Sequence, residues 1–342
     1  MSVQALNQLI LKAEVGLCQR SSDIHEDAAQ RKTAESSIED YPHVVAVELD
    51  DFLLRDFPPR TNLLDPWLPT QGLAMVYAAR GIGKTFFGLS VAHAIAGGGS
   101  FLKYHAPSPS GVLYIDGEMP ASTMQERLKS ITKSSDKKTE AAFKLLTPDL
   151  QPCGVPRLDT LEGQSAIDEI ITDDIKLIVV NNISTLTSAK ENDADGWTPV
   201  QQWALRMRAS GRSVLFIHHA GKGGNQRGTS RREDVLDTVI SLRRPRNYES
   251  KNGAEFEIHF EKSRAIHGDD VKTLEAKLII NEHGVMSWDY HTVDDSTFEK
   301  VITLLNEGMK QEDIANELAI NKSNVSRHAA RARDEGRVNK VK

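Results

Sequence analysis

The chain has 342 residues, of which 39% are hydrophobic and 26% charged, and carries a formal net charge of −6. It is long enough for more than one domain and for a sizeable core, and the acidic balance excludes a wholesale nucleic-acid coat while leaving room for local basic patches. No apolar run approaches the about 18 residues that a membrane span requires, and no apolar core follows a basic start at the N-terminus, so neither a membrane span nor export is expected.

Residues 3–18 place Leu6, Leu9, Ile10, Ala13 and Leu17 at helical spacing, and Ser21–Asp40 is polar without periodicity, so 1–45 reads as a helix followed by a linker. A folded core is predicted to begin near Val45 and to run over 46–292. Its first strand is Leu73–Ala78, followed by a glycine-containing loop and a helix over Lys84–Ala96 that Gly97-Gly98-Gly99 closes. Gly111–Asp116, Lys176–Val180 and Ser213–His218 are further apolar strands separated by helical stretches, and Glu255–Phe260 and Leu274–Ile280 are predicted to finish the sheet. Alternating strand and helix predicts an α/β fold with a mostly parallel sheet covered by helices on both faces. After Asp294 the pattern is purely helical, which predicts a small all-α domain over 293–342. Cys18 and Cys153 lie far apart without metal-ligand spacing, and the expected setting is reduced and cytoplasmic.

Ala78-Ala79-Arg80-Gly81-Ile82-Gly83-Lys84-Thr85 lies between a predicted strand and a predicted helix, the context a phosphate-binding loop needs. Backbone N–H groups and the helix N-terminus make a positive concavity there. Lys84 adds a point charge at the β- and γ-phosphates, and the Thr85 hydroxyl is a magnesium ligand candidate. Ala79, Arg80, Gly81, Ile82, Gly83, Lys84 and Thr85 are therefore the candidate nucleotide-binding residues, with ATP and Mg2+ as the expected cofactors. The usual first glycine of this motif is Ala78, which is tolerable only if its φ is negative.

Glu118, in Asp116-Gly117-Glu118-Met119-Pro120, is a candidate to polarise the attacking water from the end of a strand expected beside the phosphate-loop strand; a surface acid or helix cap ahead of Pro120 is the alternative. The strand Lys176–Val180 is followed by Asn181-Asn182 where an aspartate normally orients the magnesium water shell. Asparagine keeps the shape and an acceptor oxygen and loses the charge, which predicts slowed hydrolysis with nucleotide binding preserved. Either an aspartate has been replaced, or Asp116 or Glu118 carries more of the task. Thr85, Asn181 and Asp116 are the metal-side candidates.

Over about residues 50 to 290 the chain resembles RecA-like ATPases of the plasmid RepA replicative-helicase type, relatives of DnaB-type helicases. The resemblance rests on 79–85, on Leu113–Pro120, on Phe216–Gly223, on Gln226–Ser230 and on Phe260-Glu261-Lys262-Ser263-Arg264. It implies a RecA-like P-loop core in a homo-oligomer, a hexameric ring by analogy. Glu118 would be the catalytic glutamate, His219 the sensor of the γ-phosphate, and Lys262 and Arg264 the pair that reaches a neighbouring subunit's nucleotide. A solvated strand edge is the alternative for Lys262 and Arg264.

Ala220–Arg232 is glycine-rich and basic, and in the resembled helicases loops at this place contact single-stranded DNA. Lys222, Arg227, Arg231 and Arg232 are candidate phosphate contacts, without an aromatic residue for base stacking. In the C-terminal part, helices are predicted over Ser296–Leu305, Gln311–Leu318 and Ser323–Glu335, the last capped by Ser323, with a turn at Ala319-Ile320-Asn321. The arrangement resembles a helix-turn-helix, and from Lys322 to Lys342 seven Lys or Arg stand against two acids. Lys322, Asn324, Arg327 and Arg331 are candidate DNA contacts, with His328 also expected to face outward. Three readings follow: a helicase or translocase of a mobile element, an ATP-switched DNA-binding regulator, or an assembly ATPase of a defence or partition complex with a protein partner at the N-terminal helix.

Overall fold

The computed structural model describes residues 45–57, 59–187, 194–221, 233–246, 248–264 and 266–338. The predicted helix over 3–18 and the linker after it lie outside the described residues, as do Lys222, Arg227, Arg231 and Arg232.

The central element is a nine-stranded sheet. Its strands are β1 (Leu73–Ala78), β2 (Gly111–Asp116), β3 (Phe143–Leu146), β4 (Ile175–Asn181), β5 (Ser213–His219), β6 (Thr238–Arg243), β7 (Glu255–Ser263), β8 (Leu274–Ile280) and β9 (Met286–Thr292), in the order β9-β8-β7-β6-β1-β5-β4-β2-β3. From β6 to β3 every neighbouring pair is parallel, and β7, β8 and β9 extend the sheet antiparallel. After a short helical turn at Leu49–Leu53, the helices are α1 (Lys84–Gly97), α2 (Ala121–Ser134), α3 (Leu161–Asp168), α4 (Ala194–Ala209), α5 (Val293–Asn306), α6 (Gln311–Glu317) and α7 (Lys322–Asp334). This is the α/β architecture with a mostly parallel sheet that the alternating pattern predicts. Among the described residues no helix is long and apolar enough to cross a membrane.

The period of two in each central strand divides the core between the faces. Ala74, Val76 and Ala78 join Phe87, Tyr114, Val179 and Ile217 on the face that α1 covers, whereas Leu73, Met75 and Tyr77 join Ile178, Phe216, Trp197 and Trp203 on the face that α4 covers. Because both faces are covered, the strands read as continuous apolar runs. α1 is buried nearly all round and ends at Gly98, whose φ of 59° is the left-handed cap that glycine supplies without strain. At the sheet end away from the phosphate loop, Asp237 accepts from both Arg60 guanidinium nitrogens at 2.8 and 3.2 Å and from the Leu73 N–H at 2.9 Å, joining the starts of β6 and β1.

Three strands were not legible in the sequence. β3 is short and only partly buried, β6 follows directly on the basic stretch, and β9 alternates apolar and polar residues weakly. The strand order brings a correction as well. β2, which leads to Glu118, is not beside the phosphate-loop strand β1; β5 and β4 lie between them. In parallel sheets the crossover connections, not chain proximity, decide the neighbours.

The last three helices pack on one another through Val301, Ile314, Ala315 and Val325 and through Phe298, Ile302 and Ala332. α5 starts at Val293, earlier than the predicted Ser296, because the Thr292 hydroxyl at the end of β9 accepts from the Asp295 N–H at 3.1 Å and caps it. Two expectations for α7 are corrected. Its N-cap is Asn321, not Ser323, which lies within the first turn. His328 faces inward, 2% exposed, with its ring 5.8 Å from that of Phe298, since the face of α7 that carries Val325 and Ala332 is the one turned to α5.

Candidate nucleotide site

β1 delivers the chain to the phosphate loop, and two backbone conformations there require glycine. Gly81 has φ 74° and Gly83 φ 120°, both outside the range side chains favour, and a Cβ on Gly83 would lie 2.9 Å from the Ala254 Cβ. Ala78 is the last residue of β1, buried, and is not among the positive-φ residues, so alanine is accommodated at the loop entrance.

Lys84 opens α1 and is 7% exposed. Its Nζ donates to the Ala78 carbonyl at 3.0 Å and to the Ala79 carbonyl at 2.8 Å. Burial pulls its pKa down to about 8; Arg80 pulls the same way and Glu118 opposes. A cleft of about 480 Å³ opens over the loop, and Lys84, Thr85, Asp116, Glu118, Asn181 and His219 all line it.

Residues from three neighbouring strands meet on the far wall. Asp116 and Asn181 are register partners at the ends of β2 and β4, and the Asn181 amide nitrogen donates to Asp116 Oδ2 at 2.5 Å. At that separation the amide must present its NH2, because its oxygen would face another acceptor. Asp116 Oδ1 accepts from the backbone N–H groups of Glu118 at 2.9 Å and Met119 at 2.6 Å. Burial raises the Asp116 carboxyl above the usual range, against these three donors. Asn181 was expected to touch the metal through its oxygen; its NH2 is instead directed at Asp116.

Asn182, which sequence reasoning did not single out, joins the other two candidates. It is fully buried, and its amide nitrogen is 2.6 Å from Glu118 Oε2 and 3.1 Å from His219 Nε2. Its oxygen accepts from the Thr185 N–H at 3.2 Å, which fixes the amide orientation. The Asn182 NH2 is thus shared between the Glu118 carboxylate and the His219 ring nitrogen Nε2. Glu118 Oε2 lies 3.8 Å from the same nitrogen, and the Glu118 side chain is 55% exposed toward the cleft. The repeated Asn-Asn at a strand end was the available signal, but only strand order reveals what the second asparagine touches.

Two arginines that sequence reasoning passed over lie near the phosphate loop, Arg127 in the cleft lining and Arg244 beside Gly81. Arg127 lies with its guanidinium 4.7 Å from the Phe86 ring centre. Arg244 donates to the Gly81 carbonyl at 2.7 Å and stacks 3.5 Å over the Tyr248 ring. Two residues on, Arg246 donates to the Ala319 carbonyl, in the turn between α6 and α7, at 3.1 Å. One short stretch thus touches both the phosphate loop and the C-terminal helices.

Lys262 and Arg264 are not at this cleft. β7 runs antiparallel to β6, so its last residues lie at the opposite end of the sheet, where Lys262 donates to the Glu233 carbonyl and Arg264 to the Asp234 carbonyl at 2.7 Å. In the C-terminal helices Lys322 pairs with Glu312 at 3.5 Å and Arg327 with Asp294 at 3.2 Å. Asn324 is half-buried. Arg331 pairs with Asp295 at 3.5 Å and Glu335 at 2.8 Å, 4.0 Å over the Phe298 ring.

A family model described as an AAA domain matches residues 38–225. Among solved structures the chain is similar to a KaiC-like protein of the hyperthermophilic archaeon Pyrococcus horikoshii OT3, with 14% identity and a TM-score of 0.46, over 66% of this chain and 93% of that one.

Proposed function

The chain belongs to the AAA-domain family as a RecA-like P-loop ATPase, and from that premise we propose that it is a homo-oligomeric motor on DNA, a helicase or translocase of the RepA-like type. The observation that carries the reading is the joined set Glu118, Asn182 and His219 facing Lys84 and Thr85 across one cleft. It is an arrangement for cleaving a phosphoanhydride, beyond simple nucleotide capture.

P-loop ATPases of this fold generally bind ATP with Mg2+, and the residues fit both. The loop is cleared by two glycines in positive φ, Lys84 supplies a cation for phosphate oxygens, and the Thr85 hydroxyl and Asp116 carboxylate offer hard oxygen donors facing the same cleft. A bound magnesium would neutralise charge on the phosphates. Lys84 leaves the Ala78 and Ala79 carbonyls for the phosphates. Glu118, held by Asn182, orients the attacking water and takes its proton, and His219 reads the phosphate end through the same Asn182. Lys262 and Arg264, at the sheet end remote from this chain's own loop, would exchange the Glu233 and Asp234 carbonyls for a neighbouring subunit's nucleotide in a ring. Lys222, Arg227, Arg231 and Arg232 would take single-stranded DNA in its channel. The last three helices would act as a helix-turn-helix on duplex DNA through Lys322, Asn324, Arg327 and Arg331, and a cytoplasmic setting follows from this role.

The contacts of Arg244 with Gly81 and of Arg246 with Ala319 favour a second reading, an ATP-switched DNA-binding regulator, because they offer a path from the loop to the C-terminal helices. ATP turnover with and without single-stranded DNA, strand displacement on a forked duplex, and light scattering separate the two. DNA-stimulated turnover by an oligomer that displaces a strand is expected. ATP-dependent duplex binding by a protein that never displaces a strand would overturn the motor.

A further inference from the structure

We infer that the carboxylate serving the metal side of this site has been transposed by one strand: Asp116 on β2 supplies the charge, and Asn181 on β4 supplies the amide that holds it. The inference rests on the P-loop ATPase reading and is independent of whether the motor acts on DNA.

Four observations carry it. Asp116 is fully buried, yet among the described residues no Lys or Arg lies within ion-pair distance of it. A buried carboxylate held only by neutral hydrogen-bond donors gains from a nearby cation. It lines the same cleft as Thr85. Glu118 does not compete for the role, because Asn182 holds it toward His219. Finally, Asn181 and Asp116 are register partners whose side chains meet at 2.5 Å, so the two positions form one donor–acceptor unit whose charge can reside on either strand.

The consequence reverses the obvious repair. Asn181→Asp alone does not restore a familiar site, because it replaces the donor at Asp116 Oδ2 with a second anion in a buried pair. Asp116→Asn with Asn181→Asp together exchange donor and acceptor and keep one charge and one hydrogen bond. Both substitutions are isosteric, so the double variant retains the packing.

The test is metal binding, read apart from turnover. Affinity for a fluorescent ATP analogue is measured in EDTA and across a Mg2+ titration, and Mn2+ binding to the protein with nucleotide is followed by electron paramagnetic resonance. The set comprises the full chain, Asp116→Asn, Asn181→Asp and the double variant, with melting temperatures alongside. Asp116→Asn is expected to keep its affinity in EDTA and to weaken metal binding at least ~10-fold. Asn181→Asp is expected to melt lower than the parent without gaining metal affinity, and the double variant to return to within about threefold of the parent. Metal binding untouched by Asp116→Asn, or a double variant no better than Asp116→Asn, would overturn the transposition, as would tighter metal binding by Asn181→Asp alone. A parent chain that binds no nucleotide even in EDTA would sink the ATPase reading itself, a different result from any of these.

Discussion

At the phosphate end of the sheet Asn181, Asn182 and His219 are 3%, 0% and 7% exposed and touch one another's partners, while in the C-terminal helices the side chains of Arg327 and Arg331 are 64% and 47% exposed in their ion pairs. Both regions are rich in polar contacts, but water screens the second set and not the first. Removing one member of the buried network leaves its partners unsatisfied, whereas removing one member of an exposed pair leaves a solvated charge. The cleft therefore resembles a mechanism and the helical surface an exchangeable interface whose ions can be traded for phosphates.

The largest effect that would break this contrast is expected from Lys84→Ala, which removes the only lysine lining the cleft among the described residues. ATP binding should weaken by about 100-fold or more, checked by fluorescence titration, with the fold intact by circular dichroism. Next is Phe298→Ala. Its ring is 1% exposed between α5 and α7, so the change should cost the C-terminal unit about 3–5 kcal/mol. Hydrogen exchange should then rise over α5–α7 and stay unchanged over β1 and α1; faster exchange in both would show that the two regions are one cooperative unit.

Asn182→Ala should lower turnover by roughly 10- to 100-fold while ATP affinity changes little, because Glu118 and His219 lose the amide that positions both. A matched loss of affinity would place Asn182 in binding instead. A smaller effect comes from pH. With a pKa of about 8 in the free protein, Lys84 is increasingly neutral above that pH, and phosphates restore its proton. Binding then takes up a proton, so ATP affinity should be flat below about pH 8 and fall above it, by at most ~10-fold per pH unit. Calorimetry in buffers of different ionisation enthalpy checks the uptake directly.

The smallest effect on stability is expected from Arg327→Ala, under about 1 kcal/mol by denaturant titration. If the helices bind DNA, the same change should reduce the slope of log affinity against log salt by about 1.

By itself the sequence determined what depends on near neighbours in the chain. The strand, glycine loop and helix around Lys84 were legible because two positive-φ positions and a helix start are local demands. The two-sided burial of β1, β2, β4 and β5 was legible because apolar runs of that length have few other uses. The three last helices followed from their periodicity. What only the tertiary structure decided depends on strand order, which crossovers spanning tens of residues set and no local pattern encodes. That order put Asp116 against Asn181 and placed Asn182 between Glu118 and His219, and it carried Lys262 and Arg264 to the far end of the sheet. The inward turn of His328 was decided in the same way, by which face of α7 found Phe298.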